Sequence, residues 1–211
     1  MKKYRIKVVF PIILILLSFI IGCCLYPVLP PNMATHWGIN GEVNGYSSKS
    51  FGIFFMPILS IFLLILFIIL PKTDPYKKNF SEFKKYFQNF VYLIFIFLFY
   101  IYLLTLIWNF GITFNLLQFM TPAFTLIFYY AGVLMKNAKR NWFVGIRTPW
   151  TLSSDKVWQK THTLGAKLFK ISALISLLSL IYPNLAVYLM IVPILGISLF
   201  LYIYSYLVYK K

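Results

Sequence analysis

The sequence is poor in acidic residues and in charge of any kind. Only 4 of its 211 residues are Asp or Glu, and charged residues make up 11% of the chain, against 61% hydrophobic and 20% aromatic residues. Ordinary soluble domains carry about 25% charged residues. The composition therefore excludes an ordinary soluble enzyme or binding domain and indicates a chain whose solvent is lipid.

Cysteine is also scarce, which excludes a disulfide framework. Cys23 and Cys24 are adjacent and lie inside the first apolar run, so they say nothing about the redox compartment. Residues 20–23 read Ile-Ile-Gly-Cys and resemble a bacterial lipoprotein cleavage box, but the apolar run continues through Tyr26. A lipoprotein normally turns polar there, so we expect this run to remain as a membrane span.

Six apolar stretches each approach the roughly 20 residues that a helix needs to cross a bilayer. They cover residues 8–29, 51–70, 90–108, 113–135, 168–182 and 185–208. The sequence predicts an all-α integral membrane protein with about six transmembrane helices and short loops. It divides into an N-terminal two-helix unit, 1–70, with an extracellular loop at 30–50, and a four-helix unit, 71–211, with a cytoplasmic loop at 136–167.

Proline and glycine mark boundaries between these spans. Pro71 is expected to end the second span, because its ring removes a helical hydrogen-bond donor. A tight turn around Asn109 and Gly111 joins the third and fourth spans, and Pro183 with Asn184 makes the turn between the last two.

The cations determine the expected orientation, because Lys and Arg near short loops are retained on the cytoplasmic side. The 20 basic residues give a net charge of +16 and concentrate in residues 1–7, 71–89 and 136–170 and at the C-terminus, and only Lys49 lies elsewhere. Both termini are thus expected to be cytoplasmic in a multi-pass protein of the cell membrane. Basic chains can bind nucleic acid, but these cations flank apolar runs as they do beside anionic headgroups, so we expect no direct nucleic-acid partner.

The expected extracellular loop carries a compact polar motif, THWGINGEVNGYSSK, at residues 35–49. Its two Asn-Gly pairs favour tight turns, because both residue types accept positive φ, and predict a hairpin-like cap. His36 and Glu42 are two candidate metal ligands without a third or fourth, which falls short of a zinc site. We therefore predict no metal. The candidate recognition residues of this loop are His36, Trp37, Gly41, Asn44 and Tyr46.

The cytoplasmic loop contains the densest motif, NWFVGIRTPWT, at residues 141–151. Thr148 precedes a proline and is biased to an extended conformation, so residues 145–151 are expected to form a non-helical turn. Ser153 or Ser154 can cap the next helix, with Asp155 in its first turn.

The residues after this turn have an amphipathic pattern, with small and apolar residues on one side of a helical wheel and lysines on the other. The first side contains Val157, Trp158, Thr161, His162, Leu164, Gly165, Leu168 and Phe169. The second side contains Lys156, Gln159, Lys160, Thr163, Lys167 and Lys170. We expect one cytoplasmic amphipathic helix that lies at the headgroup level before the fifth span.

Two interpretations of the cytoplasmic motif are open. Trp142, Trp150 and Trp158 can be interfacial anchors, with Arg147 bound to a phosphate or a carbonyl. Alternatively the motif is a reactive or partner-binding site, and an acid–base role would use Arg147, Thr151, Asp155 and His162. One Asp and one His without an oriented nucleophile are weak support for catalysis. No Asp, Glu or Arg lies at the middle of a span, which argues against ion transport.

The two motifs resemble a known family. The cores GIRTPWT, at residues 145–151, and VWQKTH, at residues 157–162, resemble the signature of the SdpI family of bacterial immunity proteins. Residues 34–52 resemble the N-terminal domain of unknown function that accompanies it. The signature residues that are candidates for partner binding are Asn141, Gly145, Arg147, Thr148, Pro149, Trp150, Thr151, Trp158, Thr161, His162 and Gly165.

The resemblance implies a non-enzymatic membrane protein, without a cofactor, that gives resistance to a secreted antimicrobial peptide of the cannibalism type. It also implies a receptor that sequesters a transcriptional repressor at the membrane when the toxin is present. The expected partners are thus the peptide toxin, a cytoplasmic transcriptional repressor and the lipid bilayer. The alternative is a small membrane enzyme or transporter acting on a lipid or a small solute.

The charge pattern generates a test of orientation. In a background in which Cys23 and Cys24 are replaced by alanine, Asn44→Cys should react with a membrane-impermeant thiol reagent added to intact cells. Ser154→Cys should react only after permeabilisation, because the lysine-rich loops are retained inside. External labelling at both positions would overturn the orientation.

Overall fold

The computed structural model describes residues 5–211 as a bundle of long apolar helices with a two-stranded hairpin at one end. The elements are α1 Val9–Leu25, β1 Asn32–Trp37, β2 Val43–Ser48, α2 Lys49–Thr73, α3 Lys77–Asn109, α4 Leu116–Asn137, α5 Pro149–Ser153, α6 Asp155–Ser176 and α7 Ala186–Lys210. Five helical segments are long and apolar enough to cross a membrane, and α1 is a shorter apolar helix. The predicted multi-pass, mainly helical fold with about six spans is confirmed. Lys2 and Lys3, which contribute to the charge pattern, lie outside the described residues.

The region predicted as a loop at 71–89 is mostly helical. Pro71 does not end α2, which continues to Thr73, because a proline in the last turn costs one hydrogen bond and membrane helices tolerate it. α3 begins at Lys77 and has 33 residues, hence a length of about 50 Å against a hydrocarbon core of about 30 Å. Hydropathy detects only the apolar part of such a helix, so its polar first turns were predicted as loop.

The hairpin packs on the end of the bundle that contains the turn between α3 and α4. Asn109 binds both backbone groups of Ala34: its Oδ1 accepts the Ala34 N–H at 2.7 Å and its Nδ2 donates to the Ala34 carbonyl at 3.0 Å. The turn between α6 and α7 lies at the same end, because the side-chain amide nitrogen Nε2 of Gln118 donates to the Leu180 carbonyl at 2.9 Å. We call this the hairpin end.

The turn of the hairpin follows only one of the two Asn-Gly pairs. Gly41 has φ +86°, and the turn closes through Gly41 N–H to the Gly38 carbonyl at 3.0 Å and Gly38 N–H to the Glu42 carbonyl at 2.7 Å. The second pair, residues 44–45, lies inside β2. There Gly45 allows close approach, since a Cβ would lie 2.9 Å from the His36 Cβ.

The opposite end of the bundle holds the α4–α6 loop, and we call it the signature end. The loop after α2 meets the α4–α6 loop there, because the Trp142 N–H donates to Asp74 Oδ2 at 3.0 Å. Lys7, just before α1, donates its backbone N–H to the α3 side chain Gln88. The last turns of α7 reach the same end, because the Ser205 hydroxyl hydrogen-bonds that of Thr148 in the α4–α6 loop at 3.0 Å. The segments that flank both termini therefore lie at one end of the bundle, as six alternating spans require.

Small residues bring α4 and α6 close together. A Cβ at Gly132 would lie 2.7 Å from the Ala166 carbonyl oxygen, so these backbones are in contact. Across the same interface the hydroxyls of Thr125 and Ser176 hydrogen-bond at 2.7 Å. Small residues and hydroxyls are typical of membrane helix interfaces, because apolar side chains gain little by leaving lipid for protein.

The predicted amphipathic helix and the predicted fifth span form one helix. α6 runs unbroken from Asp155 to Ser176 and continues as a 3₁₀ helix, Leu177–Leu180. The two predicted faces are present, since Thr161 is buried and Lys160 is exposed. However, the inner face packs on α4 and α7, so the helix is not a separate element resting on the membrane surface. Periodicity shows that a face is apolar but not whether protein or lipid covers it.

Candidate functional site

The signature turn, residues 138–154, is organised around the buried side chain of Asn141, which is 2% exposed. Its Oδ1 accepts the backbone N–H groups of Phe143 at 2.9 Å and Val144 at 2.6 Å. Its Nδ2 donates to the carbonyls of Lys139 at 2.8 Å and Val144 at 3.2 Å. Both donors and both acceptor positions of the amide are used, so Asn141 determines the path of the turn.

Gly145 and His162 meet at the centre of the site. Gly145 has φ +96°, and a Cβ there would collide with His162 Nε2. His162 is 2% exposed; its Nε2 accepts the Ile146 N–H at 3.1 Å and its Nδ1 donates to the Trp158 carbonyl at 2.7 Å. Because an N–H only donates and a carbonyl only accepts, the ring is neutral with its proton on Nδ1. Both ring nitrogens thus hold backbone in place.

The segment after Gly145 contains a short helix where a non-helical turn was predicted. Pro149 is the first residue of α5, a position at which its fixed φ is favourable. Thr148 Oγ1 accepts the Thr151 N–H at 3.1 Å, and Thr151 Oγ1 accepts the Thr148 N–H at 2.9 Å, which completes a reciprocal cap. Thr148 also shares a hydrogen bond with Ser205 of α7 at 3.0 Å. Thr148 itself is extended, with φ −113° and ψ 162°, as the following proline predicts, but it serves as the N-cap of α5, so the bias at this one residue does not exclude a helix after it. The predicted cap of the next helix is present at Ser154.

Trp158 lies inside the protein and is not an interfacial anchor. It is 4% exposed, its Nε1 donates to the Ala138 carbonyl at 2.9 Å, and its ring stacks on His162 with the centroids 3.8 Å apart. On the same face of α6, Thr161 is completely buried. A Cβ on Gly165 would lie 2.5 Å from the sulfur of Met135 on α4 and 2.9 Å from a methyl group of Leu201 on α7. These signature residues therefore bind α6 to its neighbours.

The other two tryptophans of the signature, Trp142 and Trp150, lie nearer the surface, as does Arg147. Trp150 packs against Tyr202 and Tyr206 of α7, with ring centroids 5.4 and 5.0 Å apart. Trp142 is 51% exposed. Arg147 is exposed and its Nη1 donates to the Trp142 carbonyl at 2.7 Å. An arginine carries five N–H donors and this bond uses one of them, so the guanidinium remains open to a partner.

The sequence reasoning missed the contribution of the loop after α2. Asp74 is 6% exposed; its Oδ1 accepts the Tyr76 N–H at 2.7 Å, and its Oδ2 binds Trp142 as described above. Asn79 Nδ2 donates to the Arg140 carbonyl at 2.9 Å, and the Arg140 guanidinium lies 4.8 Å from the centroid of the Tyr76 ring. The available signal was Asp74 itself, which with Glu82 is one of two acidic residues in the lysine-rich segment 71–89, but its partner Trp142 is 68 residues away.

A polar cavity of about 490 Å³ opens beside the signature turn, between α3, α4 and α6. Its wall includes Glu82, Lys136, Lys139, Arg140, Asp155 and His162. Two ion pairs cross the wall: Arg140 with Asp155 at 3.2 Å and Lys139 with Glu82 at 3.5 Å. His162 adds to this wall an imidazole ring whose two nitrogens are both hydrogen-bonded to backbone groups.

The four residues considered for acid–base chemistry do not form one reactive set. Arg147 binds a backbone carbonyl, and Asp155 pairs with Arg140. Thr151 is completely buried and its Oγ1 donates to the Ile146 carbonyl at 2.9 Å. Each polar group thus has a partner within the turn, and the arrangement is suited to holding a fixed shape.

The five candidate residues of the loop predicted to be extracellular lie together on the hairpin. His36 Nδ1 and Asn44 Oδ1 hydrogen-bond at 2.5 Å across the two strands. Trp37 packs edge-on against Trp108 of α3, with the ring centroids 5.8 Å apart. Gly41 is in contact with the side chain of Asn115, whose Nδ2 donates to the Asn40 carbonyl at 3.4 Å.

Tyr46 is 63% exposed; His36 and Asn44 are also exposed, whereas Trp37 and Gly41 are half-buried. The hairpin therefore combines buried positions that attach it to the bundle with an exposed aromatic ring. Asn109, which the sequence identified only as a turn residue, is the main attachment through Ala34.

Comparison with known proteins agrees with both motifs. Residues 137–205 match the SdpI/YfhL protein family and residues 13–61 match a domain of unknown function, DUF1648. The chain is 27% identical over 206 residues to the immunity protein SdpI of Bacillus subtilis (strain 168), and the alignment covers 97% of each chain. No solved structure matches. The resemblance inferred from the two motifs is confirmed.

The contact between Gly145 and His162 predicts a large effect of a single methyl group. Gly145→Ala should destabilise the protein more than Gly111→Ala, a matched control with φ +105° but nothing within 4 Å of its Cβ position. Both substitutions strain the backbone by about 1–2 kcal/mol, whereas only Gly145→Ala adds overpacking of about 1–3 kcal/mol. Unfolding free energies of the purified variants in mixed micelles measure the difference. Equal losses would show that the contact with His162 is not tight.

Proposed function

Because the chain belongs to the SdpI/YfhL protein family, we propose that it is a membrane immunity protein that gives a bacterium resistance to a secreted antimicrobial peptide of the cannibalism type. The observation that carries this proposal is the 27% identity to an immunity protein over 97% of both chains. An alignment of that extent includes the hairpin and the signature turn, so the relative has counterparts of both ends of this bundle.

The hairpin end is the proposed surface for the peptide toxin. Tyr46 and Ile39 are 63% and 50% exposed, and they extend from a hairpin that Asn109 attaches to α3. A side chain on a preformed hairpin loses little conformational freedom on binding, which leaves more of the contact free energy for affinity. An aromatic ring and an aliphatic side chain suit an apolar peptide.

The signature end is the proposed surface for a cytoplasmic transcriptional repressor. The concentration of lysines supports a cytoplasmic location for this end. Trp142 and Arg147 are both exposed and are adjacent through the hydrogen bond to the Trp142 carbonyl. Tryptophan and arginine are enriched among residues that contribute most to protein interfaces. Asn141 and Thr148 hold the backbone on either side, so the pair is presented in a defined geometry.

The proposed activity is binding, without catalysis and without a cofactor. This is supported by the use of the polar groups of Thr151 and His162 in backbone hydrogen bonds, where an acid–base mechanism would need them free to exchange protons. An enzyme or a transporter of small solutes has no comparable observation in its favour.

Protection of a sensitive bacterium tests the immunity proposal. Expression of the chain should allow growth in the presence of the cannibalism-type peptide, and Tyr46→Ala should lower the tolerated peptide concentration about tenfold. That factor corresponds to about 1.4 kcal/mol, typical of a residue that dominates an interface. Tyr182→Ala is the matched control, because Tyr182 is 56% exposed at the same end but lies outside the hairpin.

Membrane levels of both variants should equal that of the unmodified chain. Absence of protection by the unmodified chain at normal abundance would remove the immunity proposal. An equal loss in the two tyrosine variants would remove the hairpin as the recognition surface.

The repressor proposal is tested by Arg147→Lys in cells that carry a repressor-controlled reporter. Lysine keeps the charge but lacks the planar fork that binds a carboxylate through two hydrogen bonds, so toxin-dependent induction should fall while the membrane level is unchanged. Lys160→Ala is the control, because it removes an exposed cation of α6 that contributes only about 1 kcal/mol to surface attraction. Full induction by Arg147→Lys would show that only the positive charge of Arg147 matters, through its effect on membrane topology, and would contradict the repressor proposal for this residue.

A further inference from the structure

A second cavity, of about 460 Å³, is basic and lies between the segment before α1 and the polar first turns of α3. Three lysines line it, Lys7, Lys84 and Lys85, together with uncharged polar side chains and Tyr92. None of the described residues that line it carries a carboxylate. The cavity is therefore complementary to an anion.

The position of Lys7 in this cavity is determined by Gln88. The Gln88 side-chain oxygen Oε1 accepts the Lys7 N–H at 2.5 Å, and its Nε2 donates to the Lys7 carbonyl at 3.0 Å. Gln88 is 8% exposed. This pair of bonds attaches the segment before α1 to α3, so cations from two separate parts of the chain face the same space.

An apolar groove adjoins the basic cavity on the membrane side. The groove has a volume of about 290 Å³, and Asn89 and Tyr92 line both spaces. Its remaining walls are Leu93, Ile96, Leu126, Tyr129 and Tyr130, from α3 and α4. The basic cavity matches the phosphate of a phospholipid headgroup, and the adjoining apolar groove matches an acyl chain.

The depth of the combined site also matches one leaflet. Lys85 lies just before the apolar part of α3, at the level expected for headgroups. From Lys85 to Ile96 the helix rises by about 16 Å, close to half of a hydrocarbon core of about 30 Å.

We propose that the two cavities form a binding site for one anionic phospholipid of the leaflet at the signature end. The lysines bind the phosphate, and one acyl chain lies along Leu93 and Ile96 against α4. A free phosphate would satisfy the lysines but would leave the adjoining groove without an occupant, so the continuity of the two spaces favours a lipid.

Native mass spectrometry of the full-length purified protein tests the site. The probes are phosphatidylglycerol, phosphatidylcholine with matched chains, and glycerol 3-phosphate alone. The double variant Lys84→Gln/Lys85→Gln should bind phosphatidylglycerol about thirty-fold more weakly, since each surface cation contributes about 1 kcal/mol. The control is Lys77→Gln/Lys78→Gln, which removes the same charge from exposed positions of the same helix outside both cavities.

The groove is tested separately by Ile96→Trp, which fills it from a position that is 47% exposed. This variant should weaken phosphatidylglycerol binding and leave its membrane level unchanged. Selective loss in the Lys84/Lys85 and Ile96 variants supports the proposal. Equal binding of the two phospholipids, equal loss in the two lysine pairs, or displacement of the lipid by equimolar glycerol 3-phosphate would overturn it.

Discussion

In the hydrocarbon core no water is available to hydrogen-bond a polar group, so a buried hydroxyl is costly unless it finds a partner within the protein. Among the described residues, the buried hydroxyls of Thr161, Ser172 and Ser179 have none. Many serines and threonines of the spans meet this demand by bonding to the carbonyl four residues earlier, as Ser18, Ser60 and Thr105 do. Thr125 instead hydrogen-bonds across the interface of α4 and α6 to Ser176, whose hydroxyl also donates to the Ala173 carbonyl. Together with the backbone contact at Gly132, this pairing places α6, and with it the second signature core at residues 157–162, against α4.

The same demand explains why amide side chains dominate the two ends of the bundle. A loop packed against helices buries backbone groups that need partners. Asn109 supplies both partners for Ala34 at the hairpin end, and Asn141 supplies four for the signature turn. Asp74 adds two more from a neighbouring loop. Each proposed recognition surface is therefore supported by backbone groups that these side chains hold through hydrogen bonds.

This construction suits a protein that acts by presenting surfaces. The polar residues of the signature that resemble catalytic groups, His162 and Thr151, are used to hold the turn. Trp142 and Arg147 at one end and Tyr46 at the other are exposed, and they offer a large contact area or directional donors. The proposed immunity, by binding a peptide, and the proposed signalling, by binding a regulator, both require such surfaces, and neither requires a reaction.

The sequence alone determined the solvent, the approximate spans and the two informative loops, because hydropathy and turn residues act locally along the chain. It also identified the faces of α6, since a periodicity of 3.6 residues needs no knowledge of neighbours. It missed the helical start of α3 and the joining of the amphipathic segment to the fifth span, where polarity changes but the helix does not end. Only the tertiary structure decided that Trp158 is buried and that Asp74 belongs to the site, because contacts between residues tens of positions apart depend on how the helices pack.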